Sequence, residues 1–176
     1  MNNKKHKFLT GFTLIELLVV IAIIGILAAI VLVSLNTARA KARDTRRLGD
    51  IKQFQLAMEM YYGDNKTYPI SDWLHSNQDT WKNGTNVLAV ALKPYLSVLP
   101  LDPKNEAGTA YSGNYTYSYY ALSHGASGQW YMMVFVLENK THTFQSQDGV
   151  RACNGTNFHY GNGSNGIITV GGSCVL

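Results

Sequence analysis

A chain of 176 residues, 46% hydrophobic and 15% charged, has room for one apolar stalk and one modest head domain but not for several folded domains. The formal net charge of +4 is unevenly placed: the leader lysines and the stretch Arg39 to Lys52, itself +4, carry the excess, whereas Gln53 to Leu176 sums to −2. A head with that balance is not a basic nucleic-acid surface, so nucleic acid is not an expected partner.

Met1 to Gly11 is short, basic through Lys4, Lys5 and Lys7, and free of acidic residues, which reads as a targeting leader absent from the working protein. Phe12 to about Tyr62 reads as one long helix. From Leu17 to Ala38 no residue is charged. At about 1.5 Å of rise per residue, that run is long enough to cross a ~30 Å hydrocarbon core. Apolar residues occupy every face, which excludes a half-buried surface helix. The apolar run is too long for the core of an ordinary cleaved secretory signal. Basic residues flank it on both sides, so charge alone does not orient the span. Gly25 with Ala29, and Ala22 with Gly25, are small-residue pairs that permit close helix approach. Glu16 is a lone carboxylate near one end of the run. Such a charge costs about 2.5–3.5 kcal/mol at mid-bilayer, less where it reaches the headgroups, and is usually functional.

The second half of the helix changes character. Leu48, Ile51, Phe54 and Met58 keep near-helical spacing, which fits one face packed on a head. Arg39, Lys41, Arg43, Arg46, Arg47 and Lys52 are assigned to other faces and read as a solvated surface. Gly63-Asp64-Asn65 is expected to stop the helix, with Gly63 in the stop position. Residues near Ser71 to Ser76 are expected to form a short helical turn, and Thr85 to Leu96 a helix ended or kinked by Pro94. Asp102, in Leu99-Pro100-Leu101-Asp102-Pro103, reads as a turn-capping residue. From Asn114 the pattern turns to strand: Tyr115, Tyr117 and Tyr119 alternate with Thr116, Ser118 and Tyr120. Ser123 to Gly128 is a turn, Tyr131 to Leu137 the strongest strand, Thr141 to Gln145 a strand after the Asn139-Lys140 turn, and Ile167 to Val170 a last strand. The fold class is therefore α+β: a long N-terminal helix, membrane span below and amphipathic above, packed on a small antiparallel sheet.

No nucleophile elbow, P-loop, zinc-protease or dinucleotide motif is present, so no enzyme, cofactor or metal is expected. Cys153 and Cys174 lie in a Gly/Asn-rich tail. In an oxidising compartment they favour a disulfide, with two free thiols or a metal pair as alternatives, although no nearby Cys/His set completes a zinc site.

Gly11-Phe12-Thr13-Leu14-Ile15-Glu16, behind a lysine-rich leader and ahead of an unbroken apolar helix, resembles the type IV pilin signature at the class III signal peptide of prepilins and pseudopilins. The likeness continues through Gly25 and the alanines to the basic stretch after Asn36. It then thins into a head similar only in outline, through Asn65-x-x-Tyr68-Pro69 and the Leu-Pro-x-Asp-Pro segment at 99–103. Val33 stands where many pilins carry a helix-kinking proline, so a straighter helix is expected. In major pseudopilins the region around Asp102 lies near a calcium site, whose further acidic ligands are not obvious in this sequence.

The resemblance implies cleavage between Gly11 and Phe12 by a prepilin peptidase and N-methylation of Phe12. Glu16 would pair with a neighbouring subunit's Phe12 amine and set axial register, and Gly25 would lie on a contact face. The implied domains are a leader (1–11), a membrane and filament-core helix (12–38), an amphipathic stalk (39–63) and a head (64–176) with a C-terminal disulfide-bounded loop. The implied function is a structural subunit of a type IV pilus-like filament, with a pseudopilin of a type II secretion or DNA-uptake system as the alternative. Its partners would be copies of itself, the peptidase and the assembly machinery. Its precursor would cross the inner membrane once, with the head outside the cytoplasm, and the filament would be extracellular or periplasmic.

Overall fold

The computed structural model describes residues 12–140, 149–158, 160, 166–172 and 174. The chain divides into two compact units, with the boundary between Arg39 and Ala40. Helix α1 runs Leu14–Asn65. Within the first unit every residue from Phe12 to Arg39 is exposed, and the helix is apolar on all sides. The span is long and apolar enough to cross a membrane. The leader, including Gly11, lies outside the described residues, as does the expected strand Thr141 to Gln145.

The second unit is built around an antiparallel sheet of four strands, β1 (Leu74–His75), β2 (Ser118–Tyr120), β3 (Met132–Val136) and β6 (Ile167–Val170), in the order β1-β2-β3-β6. Strands β4 (Val150–Arg151) and β5 (Asn157–Phe158) form a separate hairpin. Register places Tyr119 opposite Met133 and Phe135 opposite Ile168. Period-two alternation therefore sends Tyr117, Tyr119, Tyr131, Met133, Phe135, Leu137 and Ile168 to one face, where they meet Ile51, Phe54, Ala57 and Met58 of α1. The expected stripe on the upper helix is thus the one buried against the sheet.

The other face is covered too. Tyr120, Trp130 and Met132 pack with Val150 and Ala152 of the hairpin, and Val134, Val136 and Ile167 pack with Ala110 of a 3-10 turn, Ala110–Ser112. For that reason Thr116 and Ser118 are fully buried rather than solvated. Their hydroxyls are satisfied by Ser76 Oγ at 2.9 Å and by the Ala110 N–H and a His75 ring nitrogen.

Several boundaries differ from expectation. Gly63 does not stop α1; the helix continues to Asn65, and Lys66 takes the left-handed conformation at φ 57°. Tyr61 and Tyr62 hold this last turn by packing on Tyr95 and Tyr68. The segment near Ser71 to Ser76 is not a helical turn but contains β1, paired with β2. A short helix α2 follows at Asp79–Lys82. Helix α3 spans Val87–Leu92 rather than Thr85 to Leu96. Asn86 caps it by accepting the Ala89 N–H at 2.7 Å, and Pro94, which has no N–H to continue the hydrogen-bond ladder, ends it early although Lys93 keeps helical angles.

Cys153 and Cys174 are joined by a disulfide. Gly125 packs directly on it: its φ is 105°, and a Cβ there would sit 2.7 Å from Cys153 Cβ and from the Asn154 backbone nitrogen. Only glycine fits that approach.

Candidate assembly site

The first turn of α1 holds Glu16. Its Oε2 accepts both the Thr13 N–H at 2.9 Å and the Thr13 hydroxyl at 2.8 Å, and the Glu16 N–H donates to Thr13 Oγ1 at 3.3 Å. This is a capping box, in which the first helical donors that lack a partner are satisfied reciprocally. The Thr-x-x-Glu spacing was legible in the sequence, but the membrane cost of Glu16 drew attention away from it. Phe12, one residue before the box, is 77% exposed. Gly25 has no atom within 4 Å of where a Cβ would stand, so its surface is open to another helix. Glu16 and Gly25 lie on one helix nine residues apart, about 13.5 Å along the axis, so they do not form a single pocket.

A second constellation lies in the head unit and corrects the solvated-face reading for Arg47 and Arg43, whereas Arg39, Lys41, Arg46 and Lys52 are exposed as expected. Arg47 is fully buried and Asp44 nearly so. Arg47 Nε and a terminal nitrogen donate to the two oxygens of Asp102 at 2.7 and 3.0 Å. Its other terminal nitrogen donates to Asp44 Oδ1 at 2.8 Å and Glu138 Oε1 at 2.9 Å. Arg43 grips Glu138 with two bonds of 2.6 Å, and Lys104 approaches it at 3.3 Å. Tyr115 lies under both Arg47 and Lys104, with its ring centroid 4.8 and 3.9 Å away. Three cations therefore face three carboxylates.

Asp102 does cap its turn, accepting the Lys104 and Asn105 N–H groups at 2.8 and 3.3 Å. It also anchors Arg47, a role the sequence reading missed. Asp44 accepts the N–H groups of Glu138 and Asn139 at 3.0 and 2.9 Å, closing the turn after β3. A signal was available: Arg47, Ile51, Phe54 and Met58 recur at helical spacing, so the buried stripe begins at an arginine.

The electrostatics follow from the geometry. The Arg43 hydrogen bonds, aided by Arg47 and Lys104 and opposed by burial, hold the Glu138 carboxyl down to about 2. Burial disfavours the Arg47 charge, but its bonds to Asp102 and Glu138 outweigh it and raise the guanidinium further. Both oxygens of Asp102 are occupied by Arg47, and one also by backbone N–H groups, so the guanidinium stands where a cation would have to bind. Among the described residues no His, Cys, Asp and Glu cluster could hold a metal ion.

Taken together, the bare apolar helix, its acidic first turn and the residues around Phe12 are those of a prepilin-type N-terminal segment, the class shared by type IV pilins and pseudopilins. Residues 10–32 match the family model described as the prokaryotic N-terminal methylation motif. The chain is similar to type II secretion system core protein G of Vibrio cholerae, 42% identical over 69 residues, covering 39% of this chain and 47% of that protein. It is similar to the protein of the same name from Pseudomonas aeruginosa, 47% identical over 60 residues, covering 34% and 42%. The type IV wide pilus major component PilA4 of Thermus thermophilus is 54% identical over 61 residues, covering 33% and 44%. The chain thus spans less than half the length of these curated relatives. No solved structure matches it.

Proposed function

We propose that this chain is a structural subunit of a type IV pilus-like filament. The observation that carries the reading is the segment from Phe12 to Leu35, helical from Leu14, apolar on every face and exposed throughout, joined to the N-terminal methylation motif. A helix stable in lipid is also stable where many copies bury one another, and a head exported with such a helix bare would aggregate. In this reading a prepilin peptidase cuts between Gly11 and Phe12, Phe12 is N-methylated, and the helix is drawn from the inner membrane into the filament core.

Residues 12–38 would form that core, 39–63 the stalk and 64–176 the head. Glu16 would meet the Phe12 amine of a neighbouring copy, and Gly25 would lie at a helix contact. The test is the mature N-terminus and intact mass of the protein from its native host: a chain beginning at methylated Phe12 is expected, and one still beginning at Met1 would refute the proposal.

A second reading keeps the architecture and shortens the filament: a pseudopilin of a secretion or DNA-uptake system. It is favoured by the two relatives named type II secretion system core protein G. A surface filament seen by microscopy and lost on deletion would reject it.

A further inference from the structure

We propose that Trp73, Tyr111 and Tyr160 form a stacking platform for the pyranose rings of a glycan. This inference does not rest on the filament reading. The three rings come from separate segments and touch pairwise, with centroids 4.6, 5.8 and 5.6 Å apart and planes inclined by 50°, 80° and 42°, so each ring offers its own face or edge rather than part of one flat surface. All three are half-buried, whereas Trp81 and Trp130 are 1% and 0% exposed. Trp73 is therefore the one tryptophan that solvent reaches.

The platform is fixed from behind. Trp73 packs on Tyr120 at 5.0 Å and lies nearly parallel to His75, and Ala110, Val134 and Val136 fill the space beneath. Gly113, left-handed at φ 89°, ends the 3-10 turn that carries Tyr111. A ligand meets rings already ordered, so little freedom is lost on binding.

The polar edge matches a hydroxylated ligand. Among the described residues the Trp73 indole N–H and the Tyr111 hydroxyl have no hydrogen-bond partner. His75 Nδ1 is held by Ser118 Oγ at 2.8 Å, and Nε2 has no hydrogen-bond partner among the described residues. Exposed Asp72 accepts the Trp73 backbone N–H on one oxygen at 2.8 Å, and its other oxygen has no partner among the described residues. No lysine or arginine belongs to the set, which argues against a phosphate or carboxylate. A purely apolar ligand would leave these polar tips unpaired. A pyranose offers an apolar C–H face to the rings and hydroxyls to the tips, and an open platform suits successive units of an oligosaccharide better than an enclosed small molecule.

The test is acrylamide quenching of tryptophan fluorescence in the full chain, held in a sugar-free zwitterionic detergent and titrated with chitotetraose, cellotetraose and mannotetraose. Saturable protection by at least one of them is expected, with the quenching slope falling about twofold because Trp73 is the accessible indole. Chitotetraose alone would point to an N-acetylated glycan and cellotetraose alone to an unsubstituted one. Tyr111→Ala should raise half-saturation about fivefold with an unchanged melting curve, and Tyr111→Phe should stay within about threefold of the native chain. If Tyr111→Ala does not fold, exposed Asp72→Ala supplies the same comparison, with an expected weakening of about threefold. Protection by none of the three sugars, full affinity in folded Tyr111→Ala or Asp72→Ala, or protection by an oligoproline peptide in place of the sugars would each overturn the proposal.

Discussion

Replacing Arg47 by methionine removes the centre of the head's ion cluster while keeping a side chain of similar length. Four hydrogen bonds disappear, two to Asp102, one to Asp44 and one to Glu138. Glu138 keeps Arg43 and Lys104, so its loss is small. Asp102 and Asp44 keep only backbone N–H donors, and Asp102 is 3% exposed. Breaking a buried pair by removing one partner costs about 3–5 kcal/mol, because a charge is left uncompensated. For a unit of this size that corresponds to a fall in melting temperature of about 10–20 °C. All three tryptophans lie in the head unit, so urea or thermal unfolding followed by their fluorescence reports it directly. Arg43→Met is the comparison, since Arg43 is a third exposed and its guanidinium bonds Glu138 among the described residues; it should lower the melting temperature far less than Arg47→Met. The double variant Arg47→Met with Asp102→Leu should recover part of the loss, because an apolar pair no longer strands a charge. An Arg47→Met chain that melts within about 3 °C of the native protein would refute the reasoning.

Acid should weaken the head through Glu138. Its folded value, about 2, lies below the unfolded one, so its stabilisation is fully present above the unfolded value and is lost as pH falls from about 4 toward about 2. A contribution of about 2 kcal/mol, allowing for solvent access, should vanish in urea titrations across that window and be absent from Glu138→Gln. Cys153→Ser with Cys174→Ser should lower head stability by about 3 kcal/mol in the same assay, and the denatured native chain should show no thiol reactive toward maleimide. Calcium or a chelator should move the melting temperature by less than about 1 °C, since Arg47 and backbone N–H groups already occupy the Asp102 oxygens; a rise of several degrees on adding calcium would contradict that geometry.

The parts of the fold written in strong periodicity were legible. An uninterrupted apolar run has few physical meanings, and the Tyr131 to Leu137 and Ile167 to Val170 strands followed from β-branched and aromatic runs between turns. The upper helix was legible only in its apolar half. Charge on a helix defaults to solvent, and nothing local to Arg47 reveals that Asp102 and Glu138, 55 and 91 residues away, will surround it. The same holds for Thr116 and Ser118. The alternation with Tyr115, Tyr117 and Tyr119 does not by itself say what covers their face; a 3-10 turn and a hairpin do, so the strand is buried on both sides. Gly63 was misplaced as a helix stop because tyrosine packing extends the helix beyond what a glycine signal alone dictates.

The Thr13–Glu16 box bears on how one carboxylate can serve two purposes. Both Thr13 bonds go to Oε2, and Oε1 has no partner among the described residues. In the proposed filament an amine from a neighbouring copy would therefore meet Oε1 without displacing the cap. The cap alone is worth about 1 kcal/mol. Were the two to compete, assembly would have to unwind the first turn before the helices could register. Because they use different oxygens, the box instead holds the carboxylate in one rotamer beside Phe12. Thr13→Val should therefore leave an Oε1–amine contact possible while freeing the carboxylate to rotate. It should slow assembly or blur its register without abolishing it, whereas Glu16→Ala removes the partner itself. Assembly rates of the two variants from purified mature subunits separate these effects, and equal defects in both would argue that the carboxylate acts only as a cap.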